Sequence, residues 1–591
     1  MTNETPADLY IFTTDLLPLD PRFLPPLANG LLGWRVYDDI MHMGGVYNGE
    51  GGDCHRANLP CPLAVRMEIE EEEKAGHLQH SYSLDTHTGI FTHSLRTASV
   101  IASQSLYAHR HHPNLLVMEV LLVRQGTSQE PITVKLDSTF TPQSDDIVFH
   151  SEPDYKGGSY IQGQTTMAEV PGGVCPSVHI IWTPITPSLT LLPDQAQSRW
   201  GFVVAMAGSQ DSAQAHYDTG LELMANGNLR PSHLRAWEEL WAGSTLELTG
   251  PDDLSRALIG CMFYLLSAFP SLHEAPGHFG GVSPGGLSNG GSGQDYWGHV
   301  FWDQDTWMYP SIGLFYPQLA RAVLEYRVRT VDGAKDNAEK QGYKGLKFPW
   351  ESAVSGREVC PEDIYGQQEI HINGDVTLAF QHYLYLTQVS CLPMNITTTL
   401  EFAVELAALL KYPAPREWQQ ADTVMLGYPL GLPMTPEVRR NDLEFYEAVT
   451  DPGGPAMTWV WSESSDGSGA VNFLTGMGGF LQAVLFGYTG FRVQKDCLAF
   501  TPLIPDDITQ LCIRGVSYLG NKMDWLVRGQ EVYIILREEA KHAGNTEPCA
   551  LQVVLKNSGT KIPLIAGKPV TFPRESGTIC KVDGALSCWP M

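Results

Sequence analysis

Hydrophobic positions along this chain change their period twice. Between residue 30 and about 245 they come in short runs, such as Leu115–Val123, Ile132–Leu136 and Val178–Thr183. These runs are rich in β-branched and aromatic residues and end at Gly, Pro, Ser or Asp, the punctuation of strands. A series of that length predicts a large antiparallel β-sandwich over residues 1–228. A helical linker is predicted over 229–251, around Trp237-Glu238-Glu239-Leu240-Trp241. From 252 to 490 the period becomes helical. Leu254–Leu266 is apolar almost all round, the mark of a buried helix, and Leu319–Arg327 carries a one-sided stripe. Val376–Leu386, Leu400–Leu410 and Ala470–Phe486 follow. The last contains Gly476, Gly478 and Gly479, each costing roughly 1 kcal/mol against Ala in a helix. Tight packing or a closely approaching ligand would explain them. From 491 the strand pattern returns in Val516–Trp525 and Glu531–Leu536, predicting a small β-domain over 491–591. The fold class is therefore multidomain α+β.

Length and charge narrow the picture. A chain of 591 residues is too long for one hydrophobic core. Its net charge of −28 argues against nucleic acid or an anionic membrane surface as partner and favours a neutral substrate. No apolar run approaches the ~18 residues of a membrane span. Residues Met1–Leu16 lack a basic segment followed by an apolar one, so no secretory signal is read there. Eleven cysteines, an odd count without paired spacing, fit a reducing compartment. The expected location is cytoplasmic, which makes the sequons at Asn3 and Asn395 chance matches. No protein partner is predicted.

Two stretches carry candidate chemistry. Gly298–Trp307 sets Asp303 and Asp305 among Phe301, Trp302 and Trp307, with Tyr296 close by. Thr458–Gly469 sets Glu463 beside Trp459 and Trp461 and ahead of a loop of small residues. Sugars need this mixture, because their C–H faces stack on aromatic planes and their hydroxyl edges bind carboxylates. The plainer alternative for the first stretch is a Trp-rich helix start with an Asp cap, and for Glu463 an exposed loop position. The His109–His112 cluster lacks companion carboxylates and is expected to be a solvated turn, not a metal site. No zinc-protease, P-loop or dinucleotide motif is present.

The domain order, together with Val46–Asp53, Leu287–Gly290, Trp297–Trp307, Phe348–Ala353, Val359–Gly366 and Asp466–Gly479, resembles glycoside hydrolase family 65. The likeness runs from residue 9 to about 500. It implies an (α/α)6 barrel between two β-domains and an inverting mechanism with no metal or cofactor. It also implies a substrate, the glucose of the glucosyl-α-1,2-galactosyl unit on collagen hydroxylysine. Inverting glycosidases need an acid and a base roughly 6.5–9.5 Å apart, with water between base and sugar. Glu463 is the candidate base, and its charge would repel phosphate, favouring hydrolysis over phosphorolysis. Trp302 and Asp303 match the family's substrate-binding pair. Asp305 would share that task or cap the next helix, and Glu351 is a sugar ligand or a helix-start Glu. Gln419 and Gln420 resemble a Lys-Gln pair, with Gln standing in the Lys position.

The chain also departs from the family. The Asp-Glu-Tyr-His type segment that carries the general acid has no counterpart before Gln420-Ala421-Asp422. At Met457–Trp461 two motifs that bracket a helical hairpin in the family are fused. Twelve helices of ~11–12 residues with loops of ~4–6 would fit the space from 252 to 490, yet only six or seven periodic segments are found. The expectation is an incomplete barrel without its general acid, slowed by ~10²–10⁴. A phosphorylase or trehalase of the same family, and a non-catalytic sugar-binding isoform, are the alternatives.

Overall fold

Strand Leu115–Arg124 shows why the N-terminal half folds as it does. Leu116, Met118, Val120 and Leu122 enter one core, while Leu115 and Val117 enter another on the opposite face. A strand buried on both faces reads as a continuous apolar run, as this one does. In the computed structural model, which describes residues 9–74, 76–127, 129–272, 279–369, 371–388, 460–464, 468–538 and 548–582, it lies near the middle of a nine-stranded sheet. Its antiparallel neighbours are Val100–Ala108 and Gln197–Ala207. One face packs on two smaller sheets: Val134, Leu136 and Leu189 come from one, Leu27 and Leu32 from the other. The helix Gln210–Ala225 covers part of the other face through Ala213 and Tyr217.

The linker reading of 229–251 needs one correction. The helix Leu229–Gly243 ends at the extended Ser244, and Thr245–Thr249 is a strand. Its Leu246 and Leu248 are buried in strand alternation, and it pairs antiparallel with Gln510–Tyr518. It is thus the edge strand of a five-stranded C-terminal sheet, completed by Asn521–Arg528, Glu531–Leu536 and Val570–Pro573.

Between the sheet regions lies a helical part. The helix Asp252–Ala268 is buried on nearly every side, as its sequence requires, and contacts the helix Leu474–Gln482. The helices Pro317–Arg329, Val331–Lys340 and Ile372–Thr387 enclose a separate core of Leu324, Ala334, Val376 and Phe380. Helix Leu474–Gln482 presses so closely on the turn Gln304–Met308 that a Cβ at Gly478 would sit 2.5 Å from the Trp307 carbonyl. The predicted glycine packing is therefore present. Among the described residues, no helix is long and apolar enough to cross a membrane.

Buried cations tie these parts together. The His109–His112 segment is not the solvated turn read from its sequence. His109 is buried, and its Nε2 lies 2.9 Å from the Leu229 carbonyl. Arg110 is buried too, donating to the carbonyls of Asn29 at 2.9 Å, Phe269 at 3.1 Å and Pro270 at 3.0 Å. The last two lie just past the helix Asp252–Ala268, where a positive charge meets the negative end of the helix dipole. Lys522 of the C-terminal sheet donates to Gly243 O, Ser244 Oγ and Phe315 O, each at 3.1 Å.

One ion pair sets the turn that precedes the candidate site. Asp305 and Arg327 have fully buried side chains, with Nη2 2.5 Å from Oδ2. Arg327 also donates to the Phe301 carbonyl at 2.9 Å. Removing one member of such a pair strands a charge in the core and costs about 3–5 kcal/mol, whereas replacing both by apolar groups is close to neutral. Arg327→Met should therefore unfold at clearly lower urea concentration than wild type. The Asp305→Leu/Arg327→Met double variant should recover most of that loss. Equal instability of single and double variants would mean that the pair is not what the turn depends on.

Candidate active site

The site begins with a loop that the N-terminal domain holds in place. Arg56, fully buried, donates to the carbonyls of Gly286 at 2.5 Å, Asn289 at 2.7 Å and Gly298 at 3.0 Å. Gly298 adopts φ 72°, and a Cβ there would lie 2.8 Å from the Arg56 Cβ, so only glycine fits. Val300 then bridges Ser352 and brings the Phe348–Ala353 motif alongside. The chain next turns through Trp302 and Asp303 into a single π-turn, Gln304–Met308, a feature often found at functional sites. Gln482 fixes that turn, its Nε2 donating to Thr306 O at 2.8 Å and Trp307 O at 2.6 Å.

Three separated segments meet beyond this loop. The Asp303 Oδ1 accepts from the Thr475 hydroxyl at 2.8 Å. Burial raises the Asp303 carboxyl to about 6, with the Thr475 bond opposing the rise. The exposed Glu463 is held from two sides: Oε1 accepts from the Tyr296 hydroxyl at 2.7 Å and Oε2 from the Ala470 amide at 2.9 Å. The Tyr296 hydroxyl is pushed far up, first by burial, then by its bond to Glu463 and by the fields of Glu463, Asp303 and Asp295.

An aromatic wall stands next to these carboxylates. Trp302 meets His371 edge-on at 4.7 Å and Trp307 at 6.0 Å. Trp350 stacks on Tyr365 at 5.7 Å and meets Phe301 edge-on at 6.0 Å. His371 is fixed by Asp375, one helical turn on, with Nδ1 2.5 Å from Oδ2.

Of the residues read from sequence, Trp302, Asp303 and Glu463 lie in this arrangement. Asp305 does not face it, because its carboxylate is committed to Arg327 in the core. Glu351 is also turned away, with Oε2 2.7 Å from His299 Nδ1, while His299 Nε2 lies 2.8 Å from the Cys54 carbonyl. Gln419, Gln420 and the place of the general acid lie outside the described residues. Tyr296 was read from the sequence only as a flanking aromatic, and Thr475 and the His371–Asp375 pair were not singled out there. Only the i, i+4 spacing of the last was visible in the chain. One described group, Glu351, Cys360 and Glu362, has the spacing to hold a metal. The Cys360 thiol is a poor ligand, because burial and the neighbouring Glu351 push its pKa far up, and Glu351 is already engaged by His299.

A solvent-facing carboxylate pinned from two sides, a second, more buried one bonded to Thr475 and a wall of indoles form the equipment of a carbohydrate-active enzyme. Comparison with known proteins agrees. Residues 265–411 match the central catalytic domain of glycosyl hydrolase family 65. The chain is 51% identical to the Danio rerio protein-glucosylgalactosylhydroxylysine glucosidase, over 93% of this chain and 100% of that one. It is 42% identical to the Gallus gallus protein of the same name, over 97% of both chains. In fold it resembles a putative kojibiose phosphorylase from the human microbiome, with TM-score 0.66, 11% identity and coverage of 96% of this chain and 99% of that one. The chain belongs to glycosyl hydrolase family 65. The alignment with the Danio rerio relative runs over 665 positions but draws on 93% of this 591-residue chain, so about 115 of its positions face no residue here.

Asp303 gives the site a pH signature. Its folded-state pKa, about 6, lies above the ordinary 3.8. The folded state therefore binds the proton more tightly, and the stability this contributes below pH 4 is lost as pH rises through 6. Asp303→Asn removes the cost of ionising there. Its melting temperature should match wild type near pH 4 and exceed it above pH 6.5. The stability difference should reach roughly 1–2 kcal/mol, discounted for partial solvent access. An offset that does not change with pH would show that Asp303 titrates normally.

Proposed function

We propose that this chain is an inverting glycoside hydrolase that releases glucose from the α-1,2-glucosyl-galactosyl unit on collagen hydroxylysine or its peptides. The observation that carries the proposal is the Glu463 carboxylate, exposed to solvent yet held at both oxygens beside Asp303 and the aromatic wall. A carboxylate so placed can take a proton from water as the water attacks the anomeric carbon. The bond from that carbon to the galactosyl oxygen breaks, and the configuration inverts. Asp303, ionised above pH 6, would accept hydrogen bonds from glucose hydroxyls, with Trp302 against a C–H face. The name carried by the Danio rerio and Gallus gallus relatives supports the substrate. No step requires a metal or cofactor.

The proposal includes a shortened (α/α)6-type barrel within 252–490 and a cytoplasmic location, the latter supported by the cysteine pattern. It also includes an impairment. The sequence lacks the segment that carries the family's general acid, and the unmatched positions in the alignment support an internal shortening. Protonation of the departing galactosyl oxygen is the half-reaction that would suffer. α-D-Glucosyl fluoride separates the two halves, because fluoride leaves without a proton.

Purified protein should release glucose from glucosylgalactosyl-hydroxylysine without phosphate, and Glu463→Gln should abolish this. Relative to a full-length relative, turnover of the natural disaccharide should be depressed by about 10²–10⁴, while glucosyl fluoride is spared most of that deficit. Phosphate-dependent turnover would indicate a phosphorylase, and activity on trehalose a trehalase. A folded protein that binds glucose but hydrolyses neither substrate would be a non-catalytic sugar-binding form.

A further inference from the structure

Two successive residues, Tyr296 at φ 55° and Trp297 at φ 49°, occupy the left-handed region, which side chains other than glycine's rarely adopt. Such strain persists only where surrounding contacts over-determine it, and it collects at functional sites. Here the contacts are specific. The neighbouring Asp295 accepts from the Val471 amide at 3.2 Å. The Tyr296 ring stacks on Phe473 at 6.0 Å and meets Phe301 edge-on at 5.4 Å. Those rings aim the hydroxyl at Glu463 Oε1, 2.7 Å away. The turn 295–297 thus grips Val471 at its backbone amide, Phe473 at its ring and Glu463 at its carboxylate.

We infer that Tyr296 is a positioning residue that fixes and orients the Glu463 carboxylate for its work on water. This rests on the reading of Glu463 as the base. With Tyr296 donating to Oε1 and Ala470 N–H to Oε2, the carboxylate cannot rotate freely. Among the described residues, Tyr296 and Asp295 are the titratable groups that interact with Glu463; Asp303 acts on Tyr296, and Arg22 and Arg35 act on Asp295.

Tyr296→Phe keeps both ring contacts and removes only the donor. Two readings decide the matter. In protein labelled with ¹³C at glutamate carboxyls, the Glu463 signal is assigned by its loss in Glu463→Gln. Its titration midpoint should rise in Tyr296→Phe by about half to one pH unit. With α-D-glucosyl fluoride, kcat should fall about ten- to hundredfold with little change in KM, and the acid limb of the pH profile should move up with the midpoint. An unchanged midpoint overturns the inference, whether or not the protein turns over. Failure of the parent reading looks different: Glu463→Gln would hydrolyse the fluoride as fast as wild type.

Discussion

A basic side chain taken out of water must find acceptors for its N–H groups inside the protein, and three here find them on the backbone. Arg56 binds the carbonyls of the 286–298 loop, and Arg110 those just past the helix Asp252–Ala268. Lys522 binds the carbonyls at the ends of the helices Leu229–Gly243 and Tyr309–Phe315. Each side chain belongs to a sheet region, and each set of carbonyls lies in or beside the helical part. The carbonyls have to converge for the charge to be tolerated, so the positions of these segments are mutually dependent. The loop that presents Tyr296, Trp302 and Asp303 takes its course from this demand.

The acidic residues near the site divide by the partner they have. Asp305 and Glu351 lie among the same motifs as Asp303, yet they face a guanidinium and an imidazole in the core. These carboxylates spend their charge on internal partners. Among the described residues, the donors to Asp303 and Glu463 are neutral, a threonine hydroxyl for one and a tyrosine hydroxyl and an amide for the other.

Much of the architecture is legible in the chain. The uninterrupted run of Leu115–Val123 announced a strand buried on both faces, and the all-round apolar Leu254–Leu266 a central helix. Thr245–Thr249 was misassigned because five residues carry little periodic signal beside a strong helix, although the alternation of Leu246 and Leu248 was there to read. His109–His112 was misplaced because hydropathy treats Arg110 as a surface residue, and nothing local shows that distant carbonyls await it. The same limit applies to the site. Aromatic-flanked carboxylates could be found by eye, but which of them are neutralised by core cations depends on contacts between residues far apart. Asp303 and Asp305, two positions apart with opposite surroundings, make the point. Tyr296 was legible only as a flanking aromatic, since the partner of its hydroxyl lies 167 positions later.

That separation bears on how the protein is made. The loop carrying Phe301, Trp302 and Trp307 leaves the ribosome long before residues 463–482, against which Tyr296, Asp303 and the 304–308 turn are pinned. Arg56 is already present to catch the loop's first half. Tyr296 and the 304–308 turn, by contrast, meet Glu463, Phe473 and Gln482 only when the late segment arrives. In that interval a sticky aromatic surface is open to other chains, the circumstance in which nascent proteins recruit chaperones or aggregate. A site knit together from distant parts of the chain is therefore completed late in synthesis.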